Sequence, residues 1–330
     1  MNKKRVLILI LMAVSLAGLM FVSLTLGAGK LHLTEIIYAL THPKTPELAA
    51  DIIYKLRLPR IVLAMVVGAG LSASGVVLQG MLRNPLAEPY TIGISGASAF
   101  GVSLGIIFGA SAPFLPIFSA TAAIITMFFV FLIASRKRFS PSSIILGGVI
   151  LSFFFSACVQ MLFSLAKSEK VHSAVLWLMG DLSLTDPLLI KIVSIIILGS
   201  TALLITLGRD INILTLGEEK ASNLGINIEL LNKLLFITCS LIIGAAVAAS
   251  GIISFVGLIV PHILRYLGGA NYRFLIPASA LGGAIFLILC DTLARTVILP
   301  LELPVGVITG IIGGTFFLIY LFLSKTKRFF

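Results

Sequence analysis

Hydrophobic positions in this chain fall in long unbroken runs, not in alternating or one-face patterns. Nine runs, at 6–27, 61–81, 91–110, 116–134, 142–165, 188–207, 234–260, 274–294 and 305–324, are each long enough to cross about 30 Å of hydrocarbon as a helix. The more polar stretches between them are short, apart from 28–60 and 167–187, expected as outer loops, and 208–233, expected as the largest inner loop. Inside the first of these the pattern predicts helices at 33–41 and 46–57. Both ends are basic, Lys3-Lys4-Arg5 and Lys325-Thr326-Lys327-Arg328. Basic flanks favour the cytoplasmic side, so both termini are expected there. Two ends on one side require an even number of crossings, so one run must cross twice. The run 234–260 has 27 residues (260 − 234 + 1), long for one helix and short for two, and it contains Ser250-Gly251. The expectation is an all-α polytopic membrane protein of about ten transmembrane helices, one domain over 1–330, with one short or broken pair. Broken helices in transporters lie near the substrate path.

Composition narrows the class. The chain is 58% hydrophobic and 11% charged, with mean hydropathy +1.14, which excludes a soluble domain of this size. The stretch 6–27 is too long for a signal-peptide core, and Leu26-Gly27-Ala28-Gly29 is a poor cleavage site, so it is read as a membrane helix. The net charge of +11 invites a nucleic-acid reading only if its placement is ignored. Of 24 Lys and Arg, fifteen fall on segments placed inside, Arg138 among them, and nine (24 − 15) fall outside or near the outer face, five of these within 28–60. The charge therefore reports topology, and no nucleic-acid partner is expected. Cys158, Cys239 and Cys290 lie in apolar runs without metal-ligand spacing and read as buried thiols. His262 has no His, Cys or Asp at ligand spacing, and a structural role is expected for it.

Small residues crowd the apolar runs, as in Gly68-Ala69-Gly70-Leu71-Ser72-Ala73-Ser74-Gly75, and permit close helix contact. Gly68-Ala69, Ala73-Ser74-Gly75, Pro85, Tyr90 and Gly93 recur as Gly244-Ala245, Ala249-Ser250-Gly251, Pro261, Tyr266 and Gly269, at a constant offset of 176 (244 − 68). With opposite helix directions the two copies would form an inverted repeat. Splitting 234–260 conflicts with this register, because it sets Ser250-Gly251 at the outer face while Ser74-Gly75 lies mid-helix.

The segment 208–233 reads as a short helix ending at Gly225, then a second helix through Glu229 to Lys233. It is either a solvated connector or a docking surface for a cytoplasmic partner. Its Glu-x-Ala-x-x-x-Gly pattern at 219–225 resembles the coupling loop of ABC-importer permeases. Five further motifs follow in order: Arg57-Leu58-Pro59-Arg60; Gln79 through Arg83-Asn84-Pro85-Leu86-Ala87-Glu88-Pro89; Phe255-Val256-Gly257-Leu258-Ile259-Val260-Pro261-His262; Asp291-Thr292-Leu293-Ala294-Arg295; and Glu302-Leu303-Pro304-Val305-Gly306. In this order and spacing, from about residue 55 to the C-terminus, the chain resembles the membrane subunit of FecCD/BtuC-type importers for iron-siderophore, haem and vitamin B12. It departs from that pattern at Gly313-Gly314-Thr315-Phe316, where the family usually has Pro before the Phe.

The resemblance implies a BtuC-like type II importer permease in a bacterial cytoplasmic membrane. It implies that Arg57, Arg60 and Arg295 meet acidic side chains of an extracellular substrate-binding protein; on the residues alone they equally suit snorkelling to headgroups. Asp291 is placed to hold Arg295 at i, i+4. Glu218, Glu219, Ala221, Leu224 and Gly225 would contact cytoplasmic ATPase subunits. Asn84, Pro85 and Leu86, and Pro141, Ser142 and Ser143, would form an inner gate; on turn chemistry alone the first set is a plain turn, and Ser142 equally suits a helix cap. A second permease subunit, identical or related, would complete the path. No phosphate-binding loop is present, since Gly29-Lys30 lacks the upstream Gly. The chain is therefore expected to bind no cofactor and to be no enzyme, with ATP and Mg on the partner ATPase. Few charges lie in the runs, which suits a wrapped chelate: an iron(III)-siderophore first, haem or cobalamin as the alternative. An ion-coupled secondary transporter would need acids within its spans, and only Asp291, near one end, is found.

Overall fold

The computed structural model describes residues 2–27, 32–42, 48–137, 139–183 and 186–323, and these hold helices and no strand. Arg138 and the basic run 325–328 lie outside the described residues, as do 28–31, 43–47 and 184–185 of the expected outer segments. The first half begins with α1 (Lys3–Thr25), α2 (Leu33–Thr41) and α3 (Leu48–Asp51). A π-helical turn, Ile52–Arg57, joins α3 to α4 (Leu58–Met81). Then come α5 (Ile94–Ile107), α6 (Leu115–Ser135), α7 (Pro141–Leu165), α8 (Ser168–Leu178) and α9 (Pro187–Thr206). The second half holds α10 (Gly208–Leu214), α11 (Glu218–Asn223), α12 (Ile228–Ser250), α13 (Val256–Gly268), α14 (Tyr272–Thr296) and α15 (Val305–Leu323).

Among the described residues, eight helical stretches are long and apolar enough to cross a membrane: α1, the continuous stretch Leu48–Met81, α6, α7, α9, α12, α14 and α15. The other two crossings are short. With 14 and 13 residues, α5 and α13 rise only about 20 Å. Each follows a connector that is not α-helical, 82–93 before α5 and 251–255 before α13, and the connectors supply the missing depth. Gly257, at the start of α13, packs on Pro89 and on the Leu71 carbonyl, so both connectors lie beside the middle of α4.

The ten crossings alternate in direction and define two faces. Arg5 Nε donates to the Gly268 carbonyl at 3.0 Å, and His262 packs edge-on against Tyr320 at 4.5 Å between ring centres. The start of α1 and the end of α15 therefore share the face that carries α10 and α11. The opposite face carries α2, α8 and the ends of α4 and α14 that bear Arg60 and Arg295.

The expected double crossing of 234–260 is present, and Gly251 makes the break at φ +67. Its limits are wider than the apolar run. α12 starts six residues earlier (234 − 228) and α13 ends eight later (268 − 260), because half-polar turns at both ends still satisfy their backbone as helix. The expected helix at 33–41 is α2, but that at 46–57 does not end as a separate element. Its described part, from Leu48, continues through the π turn into α4.

The repeat exists at the level of elements and not at the offset of 176. A long helix, a connector, a short helix and two long helices occur as α4–α7 and again as α12–α15. Ser74-Gly75, however, lies inside α4, whereas Ser250-Gly251 ends α12; Pro85 lies in a connector, whereas Pro261 lies inside α13. Gly and Ala recur by chance in helices built for close packing, so their matches do not fix a register.

α4 runs through the centre, buried from Val66 to Met81, against α14, α12, α13 and α9. Its glycines mark the closest approaches. A Cβ on Gly68 would strike the Gly283 carbonyl, and one on Gly283 would strike that of Gly68. A Cβ on Gly75 would strike the Gly257 carbonyl. The periphery is apolar and exposed, with Phe128, Phe153, Phe154 and Phe322 facing outward, as suits lipid or a partner subunit.

Candidate functional sites

Three arginines meet at one end of the bundle. Leu58-Pro59 starts α4 with Pro in its first turn, which sets Arg57 and Arg60 one helical turn apart. Asp291 and Arg295 lie one turn apart near the end of α14. The Asp291 carboxylate is divided: Oδ1 accepts from Arg60 Nε at 2.8 Å and Oδ2 from Arg295 Nε at 3.0 Å. Arg60 Nη1 also donates to Glu302 at 2.6 Å. Arg295 Nη2 donates to Ser23 Oγ at 2.8 Å, and its Nη1 reaches the Leu26 carbonyl at 3.3 Å. Arg57 Nη1 donates to the Leu24 carbonyl. Carbonyls at and just past the end of α1, which no helical N–H can satisfy, are thus taken by guanidiniums from the π turn before α4 and from α14. Arg57, Arg60 and Arg295 are each no more than 8% exposed. The sequence places these arginines at helix ends, and they are there. Their charges point into the chain, held by Asp291, Glu302 and α1, and not along lipid headgroups.

Nothing local in the sequence marks Ser23 and Glu302 as partners of the arginines. Both lie more than 200 positions from a partner, and only the Asp291–Arg295 pair has a local, i, i+4 signature.

A second cluster joins the two connectors. Glu88 accepts the Phe255 N–H at the first turn of α13, where a carboxylate also meets the positive end of the helix dipole. Tyr90 Oη accepts from the Ile253 N–H at 2.9 Å and donates to the Ile253 carbonyl at 3.0 Å. Phe255 has φ +69, a conformation a bulky residue rarely takes. Its ring fills the notch left by Gly313 on α15, where a Cβ would collide with it. Gly313 opens the stretch Gly313-Gly314-Thr315-Phe316, where the resemblance leads one to expect Pro before the Phe, and α15 is helical through all four residues. The one local trace of this cluster in the sequence is a lone acid, Glu88, between two apolar runs.

In the first connector, Asn84 Oδ1 accepts the Leu86 N–H at 2.9 Å, an Asx turn before Pro85. Leu86 is 55% exposed. At the start of α7, Pro141 is the first helical residue, and Ser140 holds the N-cap position. The sequence offers Ser142 as the cap; it is exposed instead, and the local hydrogen bonds run between Ser140 and Ser143, Oγ to Oγ at 2.9 Å. The two expected gate segments belong to neighbouring elements, since Gly93 and Gly148 pack backbone to backbone where the first connector meets α7.

On the face opposite the arginines, α11 projects from the bundle. Glu218, Glu219, Leu224 and Gly225 are exposed, and Ala221 is fully buried beneath them. Gly225 has φ +82, and a Cβ there would meet nothing, so glycine is needed for conformation and not for space. Arg83 Nη2 pairs with Glu218 at 3.1 Å, which ties the first connector to α11.

A protein with a ten-crossing bundle, two broken short helices and charged stations on opposite faces has the form of a transporter permease. The FecCD transport family model matches residues 9–324, and the chain belongs to that family. The hemin transport system permease protein HmuU of Yersinia pestis is 35% identical over 319 residues, 94% of this chain and 95% of that one. The Fe(3+)-citrate import system permease protein YfmE of Bacillus subtilis is 35% identical over 334 residues, 99% of this chain and 98% of that one. A solved structure described as a metal-chelate type ABC transporter in an inward-facing conformation superposes with TM-score 0.84 at 34% identity, covering 97% of this chain and 100% of that one. The protein is thus the permease subunit of an ABC importer, a multi-pass membrane protein and not an enzyme. Its family implies ATPase, substrate-binding and second permease partners.

Proposed function

We propose that this permease imports an iron(III)-siderophore complex, which an extracellular binding protein delivers to the arginine face and which is released on the α11 face, in the cytoplasm. Both termini then lie in the cytoplasm, the side that Lys3, Lys4 and Arg5 favour. The observation that carries the reading is the pair of charged stations on opposite faces of a bundle in which, among the described residues, the two internal acids are already committed, Asp291 to two arginines and Glu88 to the Phe255 N–H. Among the described residues such a bundle offers no cluster of three or more His, Cys, Asp or Glu for a bare ion, and it suits a wrapped chelate. The similarity to hemin and ferric citrate permeases supports an iron chelate as the substrate, with haem or cobalamin as the alternative within the same mechanism.

In this reading the net positive charge of the arginine cluster, three guanidiniums against two carboxylates, draws acidic side chains of the binding protein. The exposed edge of α11, Glu218, Glu219 and Leu224, seats the ATPase, while Ala221 holds the helix to the bundle from beneath. Asn84, Pro85 and Leu86 with Pro141, Ser142 and Ser143 close the cytoplasmic mouth between two permease subunits. ATP binding on the partner shifts the population between states in which one gate or the other is open.

The test is uptake of labelled ferric siderophores, haem and cobalamin by cells lacking the gene. Loss for one ferric siderophore, restored by the gene, supports the reading. Loss for haem or cobalamin alone would keep the importer and replace the substrate.

A further inference from the structure

The geometry points to Glu302 as an internal stand-in for the docking carboxylate: it holds Arg60 while the arginine face is empty and yields that place to an acidic side chain of the binding protein. This rests on the docking face proposed above and adds to it a residue that competes with the partner.

The two carboxylates of the cluster are not equivalent. Asp291 has a side chain 1% exposed, uses both oxygens, and lies on the same helix as one of its two partners. It is fixed. Glu302 has a side chain 43% exposed and gives one oxygen to Arg60 at 2.6 Å. It lies in the turn between α14 and α15, and the backbone holds that turn without it. Leu303 N–H donates to the Ala294 carbonyl at 2.9 Å, and Val305 N–H donates to the Gly180 carbonyl at 3.2 Å. The Glu302 side chain is therefore free to swing away while the turn stays in place.

Arg60 itself has a side chain only 9% exposed. Its Nε is turned inward to Asp291, and Glu302 covers Nη1 from the open side. A carboxylate arriving from outside meets Arg60 where Glu302 sits. Replacing one carboxylate by another leaves the local charge unchanged, at three guanidiniums and two carboxylates, so the exchange demands no new desolvated charge. In the empty state Glu302 keeps the guanidinium extended and oriented, which lowers the ordering needed at docking. The same contact weakens docking by competition. Such a balance suits a partner that must leave after each delivery.

The experiment uses the full complex of permease and ATPase in nanodiscs, with the binding protein that copurifies with it, carrying the ferric siderophore it retains. Its dissociation constant is measured for wild type, Glu302→Gln, Glu302→Ala and Arg57→Gln at two salt concentrations. The expected result is binding tighter by roughly two- to five-fold in both Glu302 variants, the weight of one half-exposed ion pair, with a steeper salt dependence because the face gains positive charge. Arg57→Gln should weaken binding. Unchanged or weaker binding in the Glu302 variants, with Arg57→Gln still weakening it, would overturn the stand-in alone. No change in any variant would overturn the docking face as well. Failure of both Glu302 variants to assemble with the ATPase would make Glu302 a structural brace and would also overturn the proposal.

Discussion

Asp291 holds two guanidiniums from a site almost closed to water, and its loss would strand both. Asp291→Ala is expected to destabilise the chain by about 3–5 kcal/mol, the range for breaking a buried ion pair, read as a fall in the unfolding midpoint of the detergent-solubilised protein. Glu302→Gln removes a half-exposed partner and should shift the same midpoint far less. Equal shifts would sink this division of labour. Much of the cluster is legible in the sequence, since Arg57, Arg60, Asp291 and Arg295 stand in two short motifs with helical spacing. Glu302 and Ser23 are not legible as partners, because three-dimensional proximity across more than 200 positions leaves no local pattern. Burial is hidden for the same reason: nothing in Arg57-Leu58-Pro59-Arg60 tells that the end of α1 lies over Arg57, or that Asp291 and Glu302 close over Arg60.

At the scale of elements, the sequence reveals the count of crossings through charge and the site of the break through Ser250-Gly251, yet misplaces the ends of α12 and α13. Hydropathy sees side chains, whereas a helix ends where its backbone finds other partners, as the Ser250 carbonyl does in the Asp181 N–H, with Gly251 turning the chain at φ +67. The repeat register fails because it leans on Gly and Ala, which close packing multiplies everywhere. Two predictions belong here. Gly313→Leu should drive the Phe255 ring from its notch and lower stability by about 1–3 kcal/mol, the range for overpacking. Phe255→Ala in the same chain should recover part of the loss, so that the two changes are not additive in thermal unfolding. On α11, Leu224→Asp should release the ATPase in copurification without lowering the unfolding midpoint, whereas Ala221→Trp should lower both, because it pushes the helix off from below. If Leu224→Asp leaves the ATPase bound, α11 is not its seat. The Arg83–Glu218 pair tests the link between α11 and the first connector: Arg83→Glu should reduce uptake while Arg83→Lys largely keeps it, with substrate transport as the readout.

At the scale of the molecule, both ends of the described chain lie on one face, and α7 and α15 leave large apolar surfaces for lipid or a second subunit. The evenness of the crossings has a practical consequence for assembly. Joining the last residue of one copy to the first of another needs a linker that never passes through the bilayer, so two copies can be encoded as a single polypeptide. If the working permease is a pair of identical chains, this tandem gene should restore uptake to the null strain at the level of the separate chains. In such a tandem one half can carry Leu224→Asp while the other stays intact, and the transport that remains counts how many ATPase seats one cycle uses.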